Sequence, residues 1–213
     1  MSRPRVLVAD DHPIVAEGLQ SLLAARYDVV AVVENGQALL DAARTLDPDV
    51  VVADISMPVL NGIEATLRLQ QEQPHIKVVI LTMHREEAYA RRALEAGASG
   101  YVLKVAAPVE LVQAIEAALA DKTYVTPELA RGQIGRVARD PQRSQDPAAA
   151  LTPRQREILQ LLAEGQTAKE IGAILGISAR TVESHKYELM QELGLERSAE
   201  LVQFALKHGL IES

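Results

Sequence analysis

Five short runs of branched aliphatic residues, each followed by a longer stretch with helical apolar spacing, dictate what the first half of this chain can become. The runs are Arg5–Asp10 (RVLVAD), Asp28–Val33 (DVVAVV), Asp49–Asp54 (DVVVAD), Lys77–Thr82 (KVVILT) and Gly100–Leu103 (GYVL). Runs apolar on both faces suit strands buried on both sides. Between and after them, apolar residues recur at helical intervals. The predicted faces are Ile14, Gly18, Leu22 and Leu23; Leu39, Ala42, Ala43 and Leu46; Ala65 and Leu69; Ala90, Ala93 and Leu94; and Leu111, Ala114, Ile115 and Ala118. Strands alternating with helices imply right-handed crossovers and a parallel sheet covered on both faces. The expectation is an α/β, doubly wound, five-stranded parallel sheet over residues 1–122.

The pattern then changes. Thr126–Ala150 holds Pro127, Pro141 and Pro147, few large apolar residues, and the polar run Arg139–Asp146. A short helix near Pro127–Gly135 and a flexible linker are expected within 123–148. From Leu151 the pattern is entirely helical. Thr152 is placed to cap and Pro153 to occupy the first helical position, and Gly165, Gly176, Gly194 and Gly209 mark helix ends. A second, smaller all-α domain of four helices is expected over 149–213. Its predicted core is Ile158, Leu161, Leu162, Ile171, Ile174, Leu175, Val182, Leu189, Leu201, Val202 and Ala205.

Some chemistries are excluded at once. With no cysteine, the chain has no disulfide, thiolate metal site or cysteine nucleophile. His12, His75, His84, His185 and His208 show no ligand spacing, so zinc is not expected. No apolar stretch approaches the length of about 18 residues that a membrane span needs. The beginning MSRPRVLVADD lacks a signal-peptide profile, and a cytoplasmic protein is expected.

In a parallel sheet, ligands sit beyond the carboxyl ends of the strands. There the first run ends in Asp10-Asp11, the third in Asp54 and the fourth in Thr82, and Lys104 follows the fifth. Each alone is unremarkable, since aspartate is common where strands turn and lysine is usually solvated. Together they suit phosphoryl transfer to Asp54. Clustered carboxylates repel unless a cation neutralises them, and an oxygen-rich site that also takes phosphate suits Mg²⁺. The Asp54 carboxylate is itself the nucleophile, while Lys104 and Thr82 are placed to hold phosphoryl oxygens.

The motifs VLVADDHP, VVADISMPVLNGIE, VVILTMH and GASGYVLK resemble those of a response-regulator receiver domain across residues 5–122. The resemblance implies a flavodoxin-like fold with Asp54 as phosphoacceptor. It implies Mg²⁺ on Asp10, Asp11 and Asp54 with the Ser56 backbone carbonyl, and Thr82 and Lys104 as switch hydroxyl and phosphate-binding lysine. Tyr101 matches the aromatic that turns inward on activation; a half-buried tyrosine on an edge strand fits its position equally. Val105 departs from the Asp or Pro of many relatives and leaves the local loop geometry open.

Residues 151–211 resemble a LuxR-type helix-turn-helix, so the whole chain is similar to a NarL/FixJ-type regulator. Leu175-Gly176-Ile177-Ser178 supplies the turn, and Thr181-Val182-Glu183-Ser184-His185 opens the recognition helix. Lys169, Arg180 and Thr181 are candidate phosphate contacts. Glu183, Ser184 and Tyr187 would face base edges, with His185 and Lys186 on the same helix. Charge offers little long-range attraction. Residues 149–213 carry 7 basic and 9 acidic side chains, a net −2, so binding is expected to need two copies.

The implied cycle has a sensor histidine kinase phosphorylating Asp54, a homodimer forming when phosphorylated, and that dimer binding double-stranded DNA. The dimer surface would lie on the receiver or near Glu200–Lys207, and the domain movement at Arg139–Asp146. No turnover enzyme is implied, only slow self-dephosphorylation at most. Two rivals stay open: a phosphatase or dehalogenase using Asp54 as nucleophile, and a receiver whose helical tail binds protein or RNA.

Overall fold

A computed structural model of the chain describes residues 3–130, 151–208 and 210–211. These fall into two compact units, divided between Gln142 and Arg143. The expected linker run Arg139–Asp146, residues 131–135 of the expected short helix, and Gly209 lie outside the described residues.

In the first unit, strands β1 (Arg5–Ala9), β2 (Asp28–Val33), β3 (Val50–Ala53), β4 (Lys77–Thr82) and β5 (Gly100–Leu103) form within a residue of the sequence expectation. They alternate with α1 (Pro13–Leu23), α2 (Gly36–Leu46), α3 (Gly62–Glu72), α4 (Glu87–Glu95) and α5 (Ala107–Leu119). All pairings are parallel, in the order β2-β1-β3-β4-β5-β6. The sheet therefore has six strands, not five. The sixth, β6 (Tyr124–Val125), is too short to show a hydrophobic period and opens a polar, proline-bearing stretch. A short helix α6 (Pro127–Ala130) follows it. The stretch expected as linker from 123 thus begins as part of the sheet.

Two apolar layers sandwich this sheet. One joins alternate strand residues such as Leu7, Val51 and Ile80 to Leu39 of α2, Ala65 and Leu69 of α3, and Ala90 and Ala93 of α4. The other joins Val8, Val52 and Val79 to Leu19 and Leu23 of α1 and to Leu111, Ala114, Ile115 and Ala118 of α5. Both faces of β1, β3, β4 and β5 are buried, as their unbroken apolar runs require. Strand β2, at the edge of the sheet, is only partly covered and leaves Asp28 and Val32 exposed, because among the described residues no strand closes over its outer side.

One helix face differs from expectation. Helix α1 buries Ala16, Leu19 and Leu23, whereas Ile14 is 86 % exposed and Gly18 is exposed. Both sets have helical spacing, so only packing against the sheet selects between them.

The second unit holds α7 (Pro153–Ala163), α8 (Ala168–Leu175), α9 (Ala179–Glu192) and α10 (Ser198–Lys207) around Ile158, Leu161, Ile171, Val182, Leu189, Leu201 and Ala205. Ile174 is not core but 43 % exposed. On α8 the buried face centres on Ile171 and Gly172, and at 100° per residue Ile174 falls at its rim. Thr152 and Thr167 close capping boxes with Gln155 and Glu170, which fixes the starts of α7 and α8.

The Glu170 carboxylate accepts from the Thr167 hydroxyl at 2.6 Å and from its N–H at 2.8 Å, which holds the carboxyl below its ordinary value of 4.5. A lowered pKa gives stability that is fully present above the ordinary value and lost as pH falls through the lowered one. The protection of amides at the start of α8, measured relative to their intrinsic exchange at each pH, should therefore fall below pH 4.5 in the wild type and lose that dependence in Glu170→Gln.

Candidate functional site

Parallel topology brings every strand's carboxyl end to one edge, and the strand order reverses between β1 and β3. In register, Ala9 of β1 pairs with Ala53 of β3, so the next residues, Asp10 and Asp54, stand side by side at that switch point. Thr82 closes β4 opposite Leu103, the residue before Lys104.

Lys104 draws these groups together. Its Nζ lies 2.6 Å from Asp54 Oδ2 and 2.8 Å from Asp10 Oδ2, and both aspartates are almost fully buried. Burial works against the lysine charge, but the Asp54 charge, the hydrogen bond to Asp54 and the nearby Asp10 carboxylate outweigh it and raise its pKa above the ordinary value. Val105 proves compatible with this geometry, because Lys104–Ala106 forms a 3₁₀ turn leading into α5 with the valine exposed.

Asp10 is aimed by the His12 N–H, which donates to its Oδ1 at 2.9 Å. Asp10, Asp11, His12 and Asp54 each offer an atom within 4.8 Å of the others. The contact of Lys104 with Asp10 Oδ2 is close, yet that oxygen receives no well-directed hydrogen bond; the same holds for Asp11 Oδ1, 2.9 Å from His12 Nδ1. Charge proximity without directed donors leaves lone pairs for a cation. A hard oxygen donor set with spare acceptor capacity fits Mg²⁺.

The loop after β3 reaches this edge because Gly62, the first residue of α3, sits directly against Asp54. A β-carbon there would lie 2.0 Å from the Asp54 carbonyl oxygen, while the Gly62 N–H donates to the Ile55 carbonyl at 2.9 Å. Asn61 caps the helix by accepting from the Glu64 N–H at 3.0 Å.

A second cluster flanks the pocket. Ser56 Oγ and His84 Nε2 are 3.1 Å apart, and the His84 ring stacks on Tyr89 with centroids 4.0 Å apart. The His84 N–H donates to Thr82 Oγ1 at 3.2 Å, and its carbonyl accepts from the Tyr101 hydroxyl at 3.0 Å. Tyr101 is fully buried, not half-buried on an edge, because β6 covers β5. Burial pushes its phenol far above the ordinary value of 10.0, with Glu86, Tyr89 and Asp54 adding to the shift.

In the second unit, Gly176 takes the left-handed conformation (φ 66°) that turns the chain between α8 and α9. Ser178 caps α9 by accepting from the Thr181 N–H at 3.0 Å. Val182 and Leu189 anchor α9 in the core, leaving Arg180, Thr181, Glu183, Ser184 and Tyr187 exposed and His185 and Lys186 half-buried; Lys169 on α8 is exposed.

Residues 6–116 match the family model described as response regulator receiver domain, and 149–205 the model described as bacterial regulatory proteins, luxR family. The chain belongs to the response regulator family. The Response regulator GacA of Pseudomonas aeruginosa is 35 % identical over 211 residues, 98 % of each chain. A structure of the RcsB response regulator of Salmonella typhimurium aligns with TM-score 0.67 at 29 % identity, covering 98 % of this chain and 99 % of that one. A structure of two RcsB dimers bound to two parallel DNAs aligns with TM-score 0.58 at 30 % identity over 95 % and 98 % of the chains. This response regulator therefore joins a receiver domain to a LuxR-type DNA-binding domain and belongs with transcription factors, not with turnover enzymes.

Within that frame, the structure brings Asp10, Asp11, Asp54 and Lys104 into one pocket. Ser56, Thr82 and Tyr101 are joined to one another through His84. Sequence reasoning passed over His12 and His84 as site neighbours, because it searched histidines only for ligand spacing along the chain. Their signal is position: each follows a strand-end pocket residue by one or two places.

On α9, much of the polar surface is already engaged. Ser184 Oγ donates to the Arg180 carbonyl at 3.1 Å, and Lys186 lies 3.8 Å from Glu183. His185 lies 3.2 Å from Glu188, and Tyr187 Oη accepts from Gln191 at 2.8 Å.

Proposed function

We propose that Asp54 of this response regulator accepts a phosphoryl group from a sensor histidine kinase and thereby controls dimerisation and sequence-specific binding of double-stranded DNA. The observation that carries this reading is the pair of buried carboxylates, Asp54 and Asp10, sharing one lysine at the switch point of the sheet. A carboxylate oxygen of Asp54 forms the new bond to phosphorus as the phosphorus–nitrogen bond of the donor imidazole breaks. Lys104 Nζ, now on Asp54 Oδ2, passes to a phosphoryl oxygen, and Thr82 Oγ1 donates to another. Asp10, Asp11, Asp54 and the Ser56 carbonyl would hold Mg²⁺, whose charge lets an anionic group enter a carboxylate cluster.

When Thr82 Oγ1 turns to the phosphoryl group, the His84 N–H loses its acceptor. The loop that also accepts from the Tyr101 hydroxyl is then released to rearrange, biasing a two-state equilibrium of the receiver. Slow self-dephosphorylation is the only catalysis expected. We assign residues 1–122 to the receiver, with β6 and α6 of residues 124–130 completing its sheet and core, the rest of 123–148 to the connection and 149–213 to the output domain, in a cytoplasmic protein. Among the described residues no helix is long and apolar enough to cross a membrane.

For the output we assign Lys169, Arg180 and Thr181 to DNA phosphates. Glu183, Ser184 and Tyr187 face base edges, with His185 and Lys186 beside them on α9. The DNA and dimer named for the RcsB structure support this by similarity. DNA-selection sequencing with and without a small acyl phosphate and Mg²⁺ tests the reading. An inverted repeat enriched only with the donor is expected. A motif equal in both arms removes the phosphorylation gate, and no motif in either removes DNA recognition and favours a protein or RNA partner.

A further inference from the structure

We propose that Thr126 is a positioning residue that locks the segment leaving the receiver, residues 124–130, to the switch strand β5, so that this segment carries the state of the pocket towards the rest of the chain. The inference rests on the phosphorylation reading given above.

Thr126 is polar yet 3 % exposed. Its N–H donates to the carbonyl of Tyr101 at 2.9 Å, and its hydroxyl accepts from the N–H of Leu103 at 3.1 Å while donating to Glu110 Oε2 of α5 at 2.8 Å. It therefore touches the backbone of the buried tyrosine and of the residue preceding Lys104.

The same segment is held twice more. Leu129 of α6 is buried in the apolar layer that contains Tyr101 and Leu103. Glu128 of α6 lies 3.1 Å from Arg85, in the loop whose His84 carbonyl accepts from the Tyr101 hydroxyl. Both partners of that ion pair are more than half exposed, so its energetic weight is small. Its value here is to place α6 beside the switch loop. A shift of the β5 backbone or of residues 84–86 would be felt at these contacts.

Hydrogen exchange on the full chain, with and without acetyl phosphate and Mg²⁺, tests this without any substitution. Amides of 124–130 are expected to change exchange rate together with those of 82–104. A response in 82–104 with none in 124–130 overturns the inference and leaves the phosphorylation reading standing. No response in either segment overturns the phosphorylation reading and this inference with it.

Thr126→Val keeps the shape and removes both hydroxyl bonds, whereas Thr126→Ser keeps them. The Val variant is expected to take up phosphate at the wild-type rate but to lose at least fivefold of the donor-induced gain in DNA affinity, with Ser restoring it. A Val variant that melts earlier yet keeps the full gain shows a merely structural threonine and refutes the proposal.

Discussion

Asp54→Asn should abolish phosphoryl uptake from acetyl phosphate and make DNA affinity identical with and without the donor. Asparagine fills the same space, but a neutral amide oxygen is a poor nucleophile, so uptake should fall at least ~10⁴-fold, the lower range seen when one member of a catalytic set is removed. The fold should survive, because Lys104 retains its 2.8 Å contact with Asp10 when its 2.6 Å partner on Asp54 is neutralised. Phosphate-affinity electrophoresis reads the uptake, and fluorescence anisotropy with the selected operator reads the affinity. A variant that still incorporates phosphate and still gains affinity would sink the assignment of Asp54. Uptake lost with the affinity gain kept would leave Asp54 as acceptor and sever it from the output.

Gly62→Ala should cost about 3 kcal/mol, the upper end of what overpacking usually does, and lower the melting temperature on the order of 10 °C. The added carbon would stand 2.0 Å from a backbone oxygen rather than from the tip of a flexible side chain, so something rigid must move. What moves is the main chain of Asp54 or the start of α3, held to Ile55 by the Gly62 N–H. The loss should therefore be double, in stability and in the rate of phosphate uptake. Gly165→Ala is the control for a glycine with open space around it, although its positive φ makes it mildly strained. A Gly62→Ala variant with wild-type melting and uptake would show that the loop yields freely, contrary to the packing described.

The strands were legible because a sheet buried on both faces leaves the sequence no polar alternation. RVLVA and KVVILT have few other uses, and both form strands in place. The pocket was legible for the same reason at one remove, since parallel strands must deliver Asp10, Asp54, Thr82 and Lys104 to one edge. The buried face of α1 was less so. In α1, Ile14 and Gly18 repeat with the same period as Ala16, Leu19 and Leu23, and only the sheet decides between them. Strand β6 carries two residues, too few for any period. The hydrogen bonds around His84 depend on two loops meeting, which no local pattern encodes. On α9 the sequence marked the outward residues but not that Ser184 is turned back on Arg180.

Strand β6 also bears on where this protein can be cut. A fragment ending at Lys122 would strip Tyr124 and Thr126 from the carbonyls of Ser99 and Tyr101, and the Leu103 N–H would lose the Thr126 hydroxyl. Strand β5 would then present a bare row of donors and acceptors along apolar residues, the template on which sheets join edge to edge and aggregate. The few residues that lead out of the domain are also its selvedge, keeping one copy's sheet from being continued by another's.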